Sequence, residues 1–273
     1  MSVESDPLTR GARERAALEL ERAANEDANY SNKALDALFV VAQAGFVNEA
    51  ARVGCTCRAA RDQDTLWSAL VRARNKLGVT ALMWAAEINS VSRVVFLLRC
   101  GAPIEAKDDK GCTALFRATY FGRVEAMREL LGRGANVNAS DNEGRTILHI
   151  ASFKGHVDIV RELLGRGANV NASDNEGCTS LFAASQEGHF EVVRELLNRG
   201  ADIDVRRNNG ATPLIIASER GRLEVVRELI ARGVDVNVGR DDGATPLYFA
   251  RLEGHADVVA ELLSYGAVEV APP

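Results

Sequence analysis

Histidine is the residue of this sequence best suited to hold a metal ion or to act as a general base. The four histidines are His149, His156, His189 and His255, and the last three each follow a glycine directly. His149 and His156 have a glycine turn between them, so they do not pair on one helix face, and no cysteine or carboxylate completes a ligand set. We therefore expect structural roles for the histidines and no metal ion.

Cysteine is the second residue type that could carry chemistry. The number of cysteines is odd, and no pair has the Cys-x-x-Cys spacing of zinc or redox sites. They are Cys55, Cys57, Cys100, Cys112 and Cys178. We expect free thiols in a reducing compartment, with Cys112 and Cys178 partly exposed because each follows a loop glycine. No phosphate-binding loop and no Ser/His/Asp or Cys/His set can be assigned. The sequence predicts a protein that is not an enzyme and needs no cofactor.

The composition is that of an ordinary globular protein. The 273 residues are 47% apolar and 26% charged, with a net charge of −5, which excludes a wholly disordered chain, a collagen-like fibre and a coiled-coil rod. The acidic balance argues against nucleic-acid binding, and no apolar run reaches the length of a membrane helix. Glu4, Asp6 and Arg10 stand where a signal peptide needs an apolar stretch. We expect a cytoplasmic protein, with the nucleus left open, that contacts neither nucleic acid nor membrane.

A 33-residue period organises most of the chain. Four residues recur in register: a loop Gly, a Thr two positions later, a Leu two after that and an Ala three further on. The glycines that open the six units are Gly78, Gly111, Gly144, Gly177, Gly210 and Gly243. Such a period predicts one array in which each unit buries its apolar residues only against its neighbours.

Each unit predicts a helix, a tight turn, a second helix and a loop. In the third unit Thr146 is a good N-cap, and Leu148 and Ala151 lie on one face of the first helix. Gly155 ends that helix, since a residue at positive φ is needed there. The second helix is predicted over residues 156–164. Both helices are too short to be stable alone in water.

These motifs name a family by resemblance. The period with Gly-x-Thr-Pro-Leu resembles the ankyrin repeat, as do Gly-His-x-x-Val-Val-x-x-Leu-Leu at 188–197 and Gly-Ala-x-Val-Asn-Ala at 134–139. The resemblance implies an all-α solenoid of six helix-turn-helix units over residues 78–273, joined by loops and β-turns. It also implies that His149 bonds across the inter-repeat turn. Other residues replace this histidine in the remaining units: Met83, Phe116, Phe182, Ile215 and Tyr248.

The first 77 residues lack the period. We expect residues 1–30 to be a charged, flexible or frayed helix and residues 31–77 to be a small helical segment. This segment could cap the first repeat, because the end of an array needs covering. Alternatively, residues 53–58 followed by 62–67 resemble the second half of an F-box, although the Leu-Pro opening and a Trp near Cys57 are missing.

The remaining candidate site is a surface. In ankyrin arrays the concave face is built from the exposed ends of the first helices and from the loop tips. The helix-end pairs here are Glu87-Ile88, Tyr120-Phe121, Phe153-Lys154, Gln186-Glu187, Glu219-Arg220 and Leu252-Glu253. The loop-tip pairs are Lys76-Leu77, Asp109-Lys110, Asn142-Glu143, Asn175-Glu176, Asn208-Asn209 and Asp241-Asp242.

Apolar side chains at these normally polar helix ends predict a binding site. They belong to three consecutive units, so they should be contiguous, unless they fold back on the next repeat. The predicted partner-binding residues are Ile88, Tyr120, Phe121, Phe153, Lys154, Gln186 and Glu187. We interpret the chain as a monomeric intracellular scaffold or adaptor that binds a protein. The alternative is a substrate receptor that meets a ubiquitin-ligase adaptor through the F-box-like segment.

Overall fold

The computed structural model describes residues 71–72, 74–75 and 77–268. Within them lie twelve helices, arranged as six consecutive pairs. The pairs are α1 (Ala81–Glu87) with α2 (Val91–Arg99), α3 (Ala114–Tyr120) with α4 (Val124–Gly132), α5 (Ile147–Lys154) with α6 (Val157–Gly165), α7 (Ser180–Glu187) with α8 (Phe190–Asn198), α9 (Pro213–Glu219) with α10 (Leu223–Ala231), and α11 (Pro246–Leu252) with α12 (Ala256–Ser264). We call these pairs repeats 1 to 6.

The odd-numbered helices begin where the sequence predicts. In each of the six, the threonine hydroxyl accepts a hydrogen bond from the backbone N–H three residues later, as Thr146 does from His149. Pro213 and Pro246 occupy the first helical position, where a missing N–H costs little. The second helix of repeat 3 starts one residue later than predicted, because His156 is its N-cap position.

The tight turn inside each repeat needs a left-handed residue. Gly155 has φ +73°, and the equivalent glycines of the other repeats also have positive φ. The first repeat uses Asn89 with φ +57°, the single positive-φ residue other than glycine in the described part of the chain. This confirms the turn predicted from the recurring glycines.

The apolar core runs between the helices from one repeat to the next. Odd-numbered helices pack against the odd-numbered helices of adjacent repeats, and even against even. The recurring leucines are buried, as are the second-helix residues Val160 and Leu163. A second, smaller cluster of Phe182, Ile215 and Phe249 joins repeats 4 to 6. The predicted all-α array of stacked helix pairs is thus confirmed, and none of the described helices is long and apolar enough to cross a membrane.

A column of buried hydroxyl groups crosses this core. The side chains of Thr119, Ser152, Ser185 and Ser218 occupy the same position in repeats 2 to 5, and each is 0% exposed. Ser185 donates its hydroxyl to the carbonyl oxygen of Leu181 at 2.8 Å. The other three hydroxyls have no hydrogen-bond partner among the described residues.

Polar contacts add to the stacking at the outer loops. In repeat 3, Asn171 donates to the carbonyl oxygen of Gly200 and accepts from the N–H of Asp202. Asn138 and Asn237 make the equivalent pair of bonds to their following repeats. In repeat 4 this position is Asp204, whose carboxylate makes no such bond to repeat 5.

Salt bridges between the even-numbered helices follow the same register. Arg128 pairs with Glu162, and Arg161 pairs with Glu195, each across one repeat junction. At the junction of repeats 4 and 5, Arg194 turns instead to Glu191 of its own helix. That junction therefore lacks two of the polar contacts that join other repeats. Two arginines compensate in part: Arg232 donates to the side chain of Asn198 at 2.8 Å, and Arg206 donates to the carbonyl oxygen of Gly239 at 2.9 Å.

The predictions for residues 1–30 lie outside the described residues. So do the F-box-like stretch and most of the segment 31–77, of which the structure describes 71–72, 74–75 and 77. Both interpretations of that segment stay predictions.

Candidate protein-binding face

Buried aspartates shape the loop tips of the concave face. Asp141 is 6% exposed, and its carboxylate accepts from the backbone N–H groups of Glu143 and Arg145, each at 3.0 Å. Arg145 closes the loop by donating to the same carboxylate at 2.7 Å. Asp108, which is also buried, and the half-buried Asp174 make the same two backbone bonds in neighbouring loops. The loops are therefore held by local hydrogen bonds.

Asparagines then tie each loop tip to the one before it. Asn142 donates its side-chain N–H to the carbonyl oxygen of Asp109 at 2.9 Å. Asn175 bonds Asn142 in the same way, and Asn208 bonds Asn175, each at 3.2 Å. Sequence reasoning treated these asparagines as free surface, whereas their amides are used in stacking. Their recurrence every 33 residues was the signal that could have revealed this role.

The apolar helix ends remain in solvent. Ile88, Tyr120, Phe121 and Phe153 are 40% to 43% exposed, so the four side chains are not packed inside. Tyr120 and Phe121 make an edge-to-face contact with ring centroids 5.1 Å apart. Lys154 of the next repeat places its Nζ 4.3 Å from the Tyr120 ring centroid and 5.6 Å from that of Phe153. We call Tyr120, Phe121, Phe153 and Lys154 the aromatic patch.

The other three predicted binding residues are Ile88, Gln186 and Glu187. Gln186 and Glu187 are half-buried, and the Gln186 amide donates to the Glu187 carboxylate at 2.9 Å. No ring contact or hydrogen bond in the described part of the chain joins them, or Ile88, to the aromatic patch. The structure therefore brings together four of the seven predicted side chains.

The backbone beneath the helix ends is held from the following repeat. His189 bonds the carbonyl oxygen of Phe153 at 3.0 Å, and His255 bonds that of Glu219 at 3.0 Å. Arg123 donates to the carbonyl oxygen of Glu87 at 2.8 Å from the same turn position. These contacts account for His189 and His255, and the bond from His189 holds the patch backbone at Phe153. His156 differs, since its buried Nε2 atom has no hydrogen-bond partner among the described residues.

The cysteines near the loop tips are poorly suited to chemistry. Burial and the carboxylates of Asp108 and Asp141 raise the pKa of Cys112 to about 11, and burial and Asp174 raise the pKa of Cys178 to about 12. A thiol with so high a pKa is a weak nucleophile at neutral pH. Cys178 is half-buried as predicted, but the prediction for Cys112 is wrong, because the stacked loops leave it only 8% exposed.

Metal binding finds no support in the described part of the chain. Residues 71–72, 74–75 and 77–268 contain no group of three or more His, Cys, Asp or Glu side chains that could hold a metal ion. His149, the remaining histidine, is enclosed between repeats 3 and 4 and bonds backbone atoms on both sides.

Comparison with known families decides what this array is. The family model for ankyrin repeats matches the chain in three copies, over residues 19–141, 133–207 and 200–271. The chain belongs to the ankyrin-repeat family. The first match extends into the segment before Gly78, and no curated protein matches the chain. Ankyrin repeats generally act as protein–protein interaction modules.

Proposed function

We propose that this ankyrin-repeat protein is a non-catalytic scaffold or adaptor inside the cell, which binds a protein partner through its concave face. The observation that carries the proposal is the aromatic patch, in which three aromatic rings at equivalent positions of two adjacent repeats stay about 40% exposed. Aromatic side chains dominate the binding energy of protein interfaces when they become buried. The remaining predicted residues, Ile88, Gln186 and Glu187, would flank the patch as its rim.

The scaffold beneath the patch favours such binding. The helix end at Phe153 is anchored by the bond from His189 to its carbonyl oxygen, and the loop at Asp141 is held by that buried aspartate. A partner would meet a preorganised surface, so little ordering entropy would oppose association. Burial of exposed apolar area contributes about 25 cal/mol per Å² before such costs.

A capture experiment tests this proposal. The full chain carrying Tyr120→Ala, Phe121→Ala and Phe153→Ala is compared with wild type as bait for cellular proteins. We expect the partners captured by wild type to be lost or reduced at least tenfold, with helical content and thermal unfolding preserved. A matched control, Leu263→Ala with Tyr265→Ala, removes exposed apolar side chains of repeat 6 that lie outside the helix-end pairs, and it should leave capture unchanged. Undiminished capture by the folded triple variant would refute the proposal.

The ubiquitin-ligase alternative depends on the segment outside the described residues, and no contact among the described residues favours it. Binding of the full chain to the cullin-ligase adaptor would be its direct test. A monomeric state and a cytoplasmic location belong to the proposal in the same way, and size-exclusion chromatography with light scattering and imaging of the tagged chain test them.

A further inference from the structure

Lys154 differs from Arg117 and Arg145 of the concave face because no described residue gives it an acidic partner. Arg117 pairs with both Glu87 and Asp108 at 2.8 Å, and Arg145 pairs with Asp141. For Lys154 the described residues supply two aromatic rings and no carboxylate within ion-pair distance. Its ammonium group therefore has no balancing carboxylate among the described residues.

The position of that charge is set by the rings. The Lys154 Nζ lies over Tyr120, which belongs to the preceding repeat, and so points away from Glu187 at the equivalent position of the following repeat. Glu187 is itself engaged by the amide of Gln186. A cation–π contact fixes an ammonium group without removing its charge, and it uses only one side of the group. The other N–H donors of Lys154 remain for a ligand.

The aromatic rings also determine whether the ligand that binds here carries a positive or a negative charge. One face of the Tyr120 ring and one face of the Phe153 ring already hold Lys154. A second cation would meet like charge, whereas an anion would meet an ammonium group beside apolar rings that exclude water. Ion pairs are stronger where solvent is excluded, provided that the charges are matched.

We propose that the aromatic patch recognises a carboxylate flanked by apolar side chains, in an acidic segment of the protein partner. The carboxylate pairs with the Lys154 ammonium, and the flanking apolar side chains cover Tyr120, Phe121 and Phe153. This inference rests on the proposed function and specifies the partner's chemistry.

Selection from a random peptide-display library against the full chain tests the inference. We expect enrichment of peptides with Asp or Glu next to aromatic or aliphatic residues. A synthetic peptide from that set should bind Lys154→Met about tenfold or more weakly than wild type in fluorescence anisotropy. Lys154→Arg should retain binding, and selection on Lys154→Glu should enrich Lys or Arg instead. Lys110→Met is the matched control, since Lys110 lies at a loop tip and also has no acidic partner among the described residues.

The outcomes separate this inference from the proposed function. In one outcome, the peptides do not bind the variant with alanine at Tyr120, Phe121 and Phe153 but bind Lys154→Met as well as wild type. This result overturns the carboxylate site and leaves the proposed function standing. Enrichment of basic peptides on wild type does the same. Peptides insensitive to both variants, or no enrichment at all, overturn the patch as a binding site and the inference with it.

Discussion

The imidazole of His149 donates from Nε2 to the carbonyl oxygen of Cys178 at 2.7 Å and so joins repeat 3 to repeat 4. Its Nδ1 accepts from the backbone N–H of Thr146 at 3.2 Å, which places the single ring proton on Nε2. The ring is 3% exposed, and burial lowers the pKa of His149 from its ordinary value of 6.5. Folding therefore favours the neutral form of this histidine.

The first prediction concerns pH. Because the unfolded chain binds the His149 proton more readily than the folded chain, the free energy of unfolding falls as pH drops from above 6.5 through the lower folded-state pKa. His149→Phe places at this site the residue type found at Phe116 and Phe182. Because this variant cannot make the bonds to Thr146 and Cys178, its free energy of unfolding at pH 7.5 should be about 1 kcal/mol lower than that of wild type. Its free energy of unfolding should also no longer fall as pH drops through this range. Urea unfolding between pH 7.5 and 5 measures both effects, and an unchanged decline would contradict this account.

The second prediction concerns the buried hydroxyl column. Ser218→Ala removes a hydroxyl that has no partner in the described part of the chain, so it should leave stability unchanged or raise it by about 1 kcal/mol. Ser185→Ala is the matched control, because it breaks the bond to Leu181 and should lower stability by about the same amount. Thermal unfolding of both variants gives the comparison. Equal changes in the two variants would show that the hydroxyl environments do not differ.

The third prediction concerns two glycines that both have positive φ. A Cβ on Gly111 (φ +81°) would lie 2.7 Å from the backbone nitrogen of Asn142, in the next loop, whereas a Cβ on Gly134 (φ +87°) would meet no atom within 4 Å. Gly134→Ala should lower the free energy of unfolding by about 1 kcal/mol, because alanine is strained at positive φ. Gly111→Ala should lower the free energy of unfolding by more than twice that amount, because the new Cβ forces the loop of Gly111 away from the loop of Asn142. Denaturant unfolding compares them, and equal losses would argue against close loop stacking.

The fourth prediction concerns the junction of repeats 4 and 5. Asp204→Asn supplies the amide that Asn138, Asn171 and Asn237 use at their own junctions, so it should raise stability by about 0.5–1.5 kcal/mol. Asn171→Asp is the reciprocal change and should lower stability by a similar amount. Unfolding monitored by circular dichroism measures both variants. A loss of stability in Asp204→Asn would contradict the inference that the missing asparagine amide weakens this junction.

Most of the fold follows from short-range rules that a sequence displays. The caps at Thr146 and its equivalents, the turn at Gly155 and the buried Leu148 each depend on residues a few positions apart. Contacts between repeats were harder to predict, because the bond of Asn142 to Asp109 joins residues far apart in the chain. The burial of Cys112 was missed for the same reason.

The candidate site was predictable in position but not in arrangement. Register alone placed Tyr120 and Phe153 at the exposed ends of the odd-numbered helices. That Lys154 reaches back over Tyr120 depends on a side-chain rotamer, which spacing does not determine. The grouping of a cation with the rings therefore emerged only from the three-dimensional structure.

The loop-tip asparagines have a consequence for how such a chain can lengthen. Each amide recognises a backbone carbonyl of its neighbour, an atom that every residue type provides. A duplicated unit inserted in tandem would thus find a compatible neighbour on either side without compensating substitutions. Residues 128–144 and 161–177 are identical in sequence, as expected if the array grew by copying one of its own units.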